Sequence, residues 1–106
     1  MVRGDVFRLT VPRGARGHEQ RGARFGVVVQ SDRFLALSTV LIAPTSRSAM
    51  RALVHPTIDL DGAPTQVMLE QIRVVDVQRL GHFAGRLDAY ELSILDEGLE
   101  LIFGLR

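Results

Sequence analysis

Two short runs, FGVVVQ (Phe25–Gln30) and STVLIA (38–43), constrain this chain's fold more than any other feature. Both are continuously apolar and rich in β-branched residues, without the polar alternation of a strand that faces water on one side. They predict strands lying centrally in a sheet. Pro44 ends the second run, and TSRSAMR (45–51) reads as a polar loop. Upstream, GDVFRLTV (4–11) sets Val6, Arg8 and Thr10 against Phe7, Leu9 and Val11, which predicts a half-exposed strand. Downstream, ALVHPTIDL (52–60) leads to a DGAP turn (61–64). TQVMLEQIRVVDV (65–77) reads as one long extended segment, and QRLGHFAGRL (78–87) as a short strand bent at its glycines. The last element changes period. Asp88 and Glu91 have capping-box spacing, and Leu92, Leu95, Leu99 and Ile102 form one face of an amphipathic helix. Glu91, Asp96, Glu97 and Glu100 fill the other face, so the helix is expected to cover the sheet. Short strands followed by one helix predict a mainly β fold: a small bent barrel, SH3-like or OB-like, of five to seven short strands.

At 106 residues the chain is expected to be one domain, 1–106. A domain of this size buries roughly 60–70% of its unfolded surface, enough for one core but not two. With 46% hydrophobic and 24% charged residues it is expected to fold rather than remain disordered. Cysteine is absent, which removes disulfides and thiolate chemistry and leaves stability to the core, or to the core and a dimer interface. Arg3, Gly4 and Asp5 near the start do not resemble a secretory signal, and no apolar run approaches a membrane span. A soluble, cytoplasmic protein is the expectation. The net charge of +1 conceals an asymmetry: residues 1–51 carry +6 and residues 52–106 carry −5. Every basic residue is arginine. The uneven distribution points to an anion-binding surface in the N-terminal half, because guanidinium forks match phosphate oxygens.

His18, His55 and His82 lack the spacing of metal ligands, so no metal site is expected. No glycine-rich loop runs from a strand into a helix, which argues against a nucleotide cradle. The segment GHEQRGAR (17–24) concentrates reactive groups: Arg13, Arg16, Arg21 and Arg24 cluster around His18. The composition suits phosphate, and it also suits an ordinary soluble hairpin tip. His18 is a candidate general base near neutral pH. Arg24 opens an apolar strand, where a sheet would hold its guanidinium rigidly, as stabilisation of a transition state requires. Thr45 and Ser46 follow the VLIAP run, either as a turn that caps the strand or as hydroxyls presented beside Arg24. Glu70, Gln71 and Arg73 interrupt an apolar segment as a buried network or as substrate-reading groups; both readings stay open.

In combination, RGDVFRL (3–9), GHEQRGARFGVVVQSD (17–32), APTS (43–46) and LEQIRVVDVQRLG (69–81) resemble the MazF/PemK/Kid family of toxin endoribonucleases, in order along nearly the whole chain. The resemblance implies a homodimer of SH3-like barrels that cuts single-stranded RNA without a metal or other cofactor. It also implies a cognate antitoxin bound over the groove between subunits. The implied reaction is attack of the ribose 2′-OH on the adjacent phosphate, leaving a 2′,3′-cyclic phosphate and a 5′-hydroxyl. Carried over residue by residue, the family's catalytic arginine falls on Arg24 and its threonine on Thr45. His18 matches the histidine of a histidine-bearing branch and is the implied base. Glu19, Gln20, Arg16, Arg21, Ser46, Glu70 and Gln71 are the implied RNA contacts. The chain departs from the pattern at Phe25, where proline commonly follows the arginine, and at Met68 and Glu70, where some members place an R-x-D set. Two other functions are weighed against this one. A toxin of the same fold that binds DNA gyrase would use an aromatic-tipped C-terminal helix, whereas this chain ends LIFGLR without tryptophan. A non-catalytic RNA-binding barrel would need aromatic residues for stacking, and few are available here.

Overall fold

The computed structural model describes residues 1–10, 24–34 and 38–105. Seven antiparallel strands are followed by one helix: β1 (Asp5–Leu9), β2 (Arg24–Val28), β3 (Thr39–Ser46), β4 (Thr57–Leu60), β5 (Ala63–Val67), β6 (Arg73–Asp76), β7 (Leu80–Arg86) and α1 (Ala89–Ile102). The strand order is β4-β5-β3-β2-β1-β7, with β6 also paired to β3. The apolar runs of β2 and β3 occupy the interior of this sheet, as their composition predicts. The helix begins at the expected capping box, Asp88 accepting from the Glu91 backbone N–H and Glu91 from that of Asp88.

Strand β3 departs from the expected boundary. It continues through Pro44 to Ser46, because its partners change at that point. Thr39 to Ile42 pair with β6, and Thr45 and Ser46 pair with β5. Between the two pairings the neighbouring chain makes a 3-10 turn at Leu69–Gln71, so residues 65–77 are two strands joined by a bend, not one extended segment. The Pro44 carbonyl accepts from the Met68 N–H at 2.8 Å, on the same edge of β3. The edge toward which proline lacks a donor is therefore the one interrupted by the turn, and no ladder bond is sacrificed.

The side chains of β2 and β3 alternate between two apolar clusters. Val27, Val29 and Ala43 join Val6, Ile58, Val67, Leu69 and Leu95, with Leu92 and Leu99 of α1 packed against them. Val28, Val40 and Ile42 join Val75, with Phe7, Leu9, Val77 and Leu80 packed around them. Size alone suggested a single core, yet the curled sheet buries both of its faces. β1 is half-exposed as read, with Arg8 and Thr10 facing outward and Phe7 and Leu9 packed on the second cluster, except that Val6 is buried in the first.

Two glycines permit close approaches that composition did not flag. A Cβ at Gly26 would lie 2.2 Å from Ile42 Cγ2 and 3.1 Å from Leu9. A Cβ at Gly98 of α1 would lie 2.5 Å from Leu69 Cδ1 and 3.1 Å from the Leu53 carbonyl, so the helix rests directly on the 3-10 turn and the chain before β4. Overpacking of this kind costs about 1–3 kcal/mol. Gly26→Ala is accordingly expected to lower the urea-unfolding midpoint by that equivalent, and an unchanged midpoint would contradict the packing of β2 on β3.

Candidate functional site

The arginine that opens β2 is placed by strand pairing. Arg24 lies opposite Leu9 of β1 and is half-buried. On its other side, Gly26 pairs with Pro44 and Val27 with Ala43. That register brings the end of β3 alongside the start of β2. The Thr45 hydroxyl donates to the carbonyl of Phe25, the residue after Arg24, at 3.3 Å. Arg24 and Thr45 therefore stand on adjacent strands within one residue of each other in register.

Ser46 is engaged differently. Its Oγ accepts from the Ser48 and Ala49 backbone N–H groups at 3.2 and 3.1 Å. The strand-ending turn considered for both hydroxyls belongs to Ser46 alone, and Thr45 instead bonds across the hairpin. Glu70 and Gln71 sit on the exposed side of the 3-10 turn while Leu69 points into the core. Glu70 is paired without being buried: its Oε2 lies 2.8 Å from Nε2 of His55. The same imidazole places Nδ1 2.6 Å from the Met50 carbonyl. Arg47 and Arg51, both exposed, flank this segment, and Arg51 lines a cleft with Tyr90 and Glu97 of α1. His18, Glu19, Gln20, Arg16 and Arg21 lie outside the described residues.

The RGD segment at the start of the chain serves the fold. Arg3 donates through Nε to the Val29 carbonyl and pairs with Asp96 of α1, tying the end of β2 to the helix. Asp5 is 2% exposed and accepts from Arg86 Nε at 2.7 Å and from the Val2 N–H at 2.9 Å. The hydrogen bond and charge of Asp5 raise the Arg86 pKa above its ordinary value. Sequence reasoning did not single out the His55 contacts. The partners of the ring lie five and fifteen positions away, and no local spacing announces them.

Residues 2–103 match the family model of PemK-like, MazF-like toxins of type II toxin–antitoxin systems. The chain belongs to this family. Among relatives, it is 32% identical to Mycobacterium tuberculosis Rv3098A over 106 residues, 99% of each chain. It is 33% identical to M. tuberculosis endoribonuclease MazF9 over 114 residues, covering 95% of this chain and 94% of that one. Its fold superimposes on a mycobacterial endoribonuclease solved in complex with its cognate antitoxin, with a TM-score of 0.79 at 16% identity, covering 100% of this chain and 97% of the other. Membership agrees with the SH3-like barrel expectation, and the strand count of seven falls at its upper limit.

Within this family member, the hydroxyl of Thr45 contributes little to folding. Its bond to Phe25 is long and only partly buried. Thr45→Val is expected to change unfolding free energy by no more than about 1 kcal/mol. A loss several times larger in chemical denaturation would show that Thr45 is held there for structure.

Proposed function

We propose that the protein is a sequence-specific endoribonuclease toxin that cleaves single-stranded RNA without a metal and is neutralised by a cognate antitoxin. Membership of a toxin family that includes relatives named as endoribonucleases supports the activity. A structural neighbour bound to its antitoxin supports the partner. The observation that carries the reading is the strand register that sets the start of β2, with Arg24, alongside the end of β3, with Thr45.

The ribose 2′-OH attacks the adjacent phosphorus, its proton passes to a base, and the bond from phosphorus to O5′ breaks. O5′ takes up a proton, which leaves a 2′,3′-cyclic phosphate and a 5′-hydroxyl. Charge builds on the non-bridging oxygens at the pentacoordinate stage, where a rigidly placed guanidinium stabilises it most. Arg24 takes that role and can also supply the proton to O5′. A guanidinium holds its proton too tightly to serve as a base, so His18 is assigned the 2′-OH proton. Thr45 turns its hydroxyl from the weakly held Phe25 carbonyl to a phosphate oxygen, at the cost of one long hydrogen bond. Glu19, Gln20, Arg16 and Arg21, with Ser46, Glu70 and Gln71, contact the RNA around the cut. A homodimer would set two such sites at one groove, and an acidic, initially disordered antitoxin segment would compete for it by charge. Cytoplasmic RNA is the target.

Arg24→Ala is expected to leave a folded protein and to reduce cleavage by about 10²–10³-fold or more. Retention of wild-type rates by a folded Arg24→Ala protein would remove Arg24 from the chemistry. Replacing the nucleotide 5′ of the cut by its 2′-deoxy form is expected to block cleavage and leave binding intact. Scission of that substrate would exclude attack by the 2′-OH.

A further inference from the structure

The imidazole of His55 lies between two hydrogen-bond acceptors. Nδ1 faces the Met50 carbonyl at 2.6 Å, and Nε2 faces the Glu70 carboxylate at 2.8 Å. A neutral imidazole carries one N–H and can donate to only one of them; the imidazolium donates to both. The ring is half-buried while Met50 and Glu70 are exposed, so water competes at the partners' ends of both contacts. Two acceptors at hydrogen-bond distance favour the protonated ring, which alone satisfies both. Consistently, the backbone hydrogen bond to Met50 and the hydrogen bond and charge of Glu70 raise the His55 pKa, against the opposing effect of burial. The cleft beside the ring is also lined by Arg51, whose charge opposes protonation, and by Glu97 and Tyr90 of α1, of which the carboxylate favours it.

The two acceptors belong to different parts of the molecule. Glu70 is on the 3-10 turn, anchored through buried Leu69. Met50 is in the connection between β3 and β4, three residues after Arg47 and one before Arg51. The later part of that connection is fastened by its backbone: the Leu69 N–H donates to the Val54 carbonyl at 3.2 Å, and the Val67 N–H to the Pro56 carbonyl at 2.9 Å. The His55 ring extends this fastening back to Met50, and so to the stretch that carries both arginines.

We propose that His55 is a positioning residue for RNA binding: as an imidazolium it clasps the Met50 carbonyl to the Glu70 carboxylate and holds Arg47 and Arg51 where they meet substrate phosphates. On deprotonation one of the two contacts becomes a lone pair facing an acceptor, and the link between the 47–51 segment and the 3-10 turn is broken. Because the folded-state pKa is raised above the ordinary value of about 6.5, the stabilisation is complete below that value. It is lost as pH rises through the folded pKa. The consequence for RNA rests on the endoribonuclease reading above, whereas the clasp itself does not.

The test uses the full chain, with ring-nitrogen NMR titration of His55 and binding of an RNA oligonucleotide carrying a 2′-deoxy block at the cut. The ring is expected to titrate above about 6.5, with both nitrogens protonated below the midpoint. Glu70→Gln should lower that midpoint. The Kd for the blocked oligonucleotide should rise several-fold across the same pH step, and His55→Gln should abolish the step. On cleavable RNA, the KM step should disappear in His55→Gln, whereas the pH dependence of kcat, set by the His18 base, should persist in that variant. A midpoint at or below the ordinary value would overturn the clasp, and so would a pH step of equal size in His55→Gln. If the wild-type protein cleaves no RNA at any pH, the endoribonuclease reading fails, and the titration and blocked-RNA binding still decide the role of His55.

Discussion

Strand β3 hydrogen-bonds to β2 along one edge and to β6 and then β5 along the other, and the placement of the candidate site follows from that exchange. The exchange occurs at Pro44, opposite a 3-10 turn that leaves the missing donor nothing to pair with. Because β3 does not stop there, Thr45 arrives beside Phe25 and Arg24 while still held by Val67 on its other edge. Because the neighbouring chain bends there, Glu70 faces outward at the same junction and can meet His55. A straight β5–β6 strand would have alternated Glu70 within a ladder and closed off the place where the loop after β3 is fastened.

The parts of this arrangement that were legible in the sequence are those encoded by local pattern. The β-branched runs of β2 and β3 mark strands central in the sheet, although Thr39 and Leu41 of β3 stay exposed, and Asp88 with Glu91 marks the helix start. Of the DGAP turn read over 61–64, Asp61 and Gly62 form the turn, with φ of 54° and 78°, while Ala63 and Pro64 already belong to β5, paired with Leu60 and Asp59. What was not legible depends on residues distant in sequence. Pro44 resembles a strand terminator until the partner across from it is known. The run at 65–77 has the composition of a strand throughout, and only burial of Leu69 under Gly98 explains why it bends. The family motifs point to Arg24 and Thr45, whose catalytic roles are proposed above, but the RGD motif proves to be a structural knot of Arg3, Asp5, Arg86 and Asp96.

The charge asymmetry acquires a physical meaning on this fold. Acids of the C-terminal half are partly consumed in holding the molecule together: Asp96 binds Arg3, Glu70 binds His55, and Glu91 caps its own helix while accepting from the Asp59 N–H. Among the described arginines of the N-terminal half, Arg24 opens β2 and Arg47 follows the end of β3. The covering helix carries the opposite sign, through Glu91, Asp96, Glu97 and Glu100.

The account depends most directly on the chemistry of the cut ends. Purified protein incubated with single-stranded RNA in excess EDTA, followed by end analysis of the fragments, is the deciding measurement. Fragments bearing 5′-hydroxyl and 2′,3′-cyclic phosphate ends at one short motif are the predicted result. Fragments bearing 5′-phosphates, or cleavage that stops when divalent metals are chelated, would contradict it.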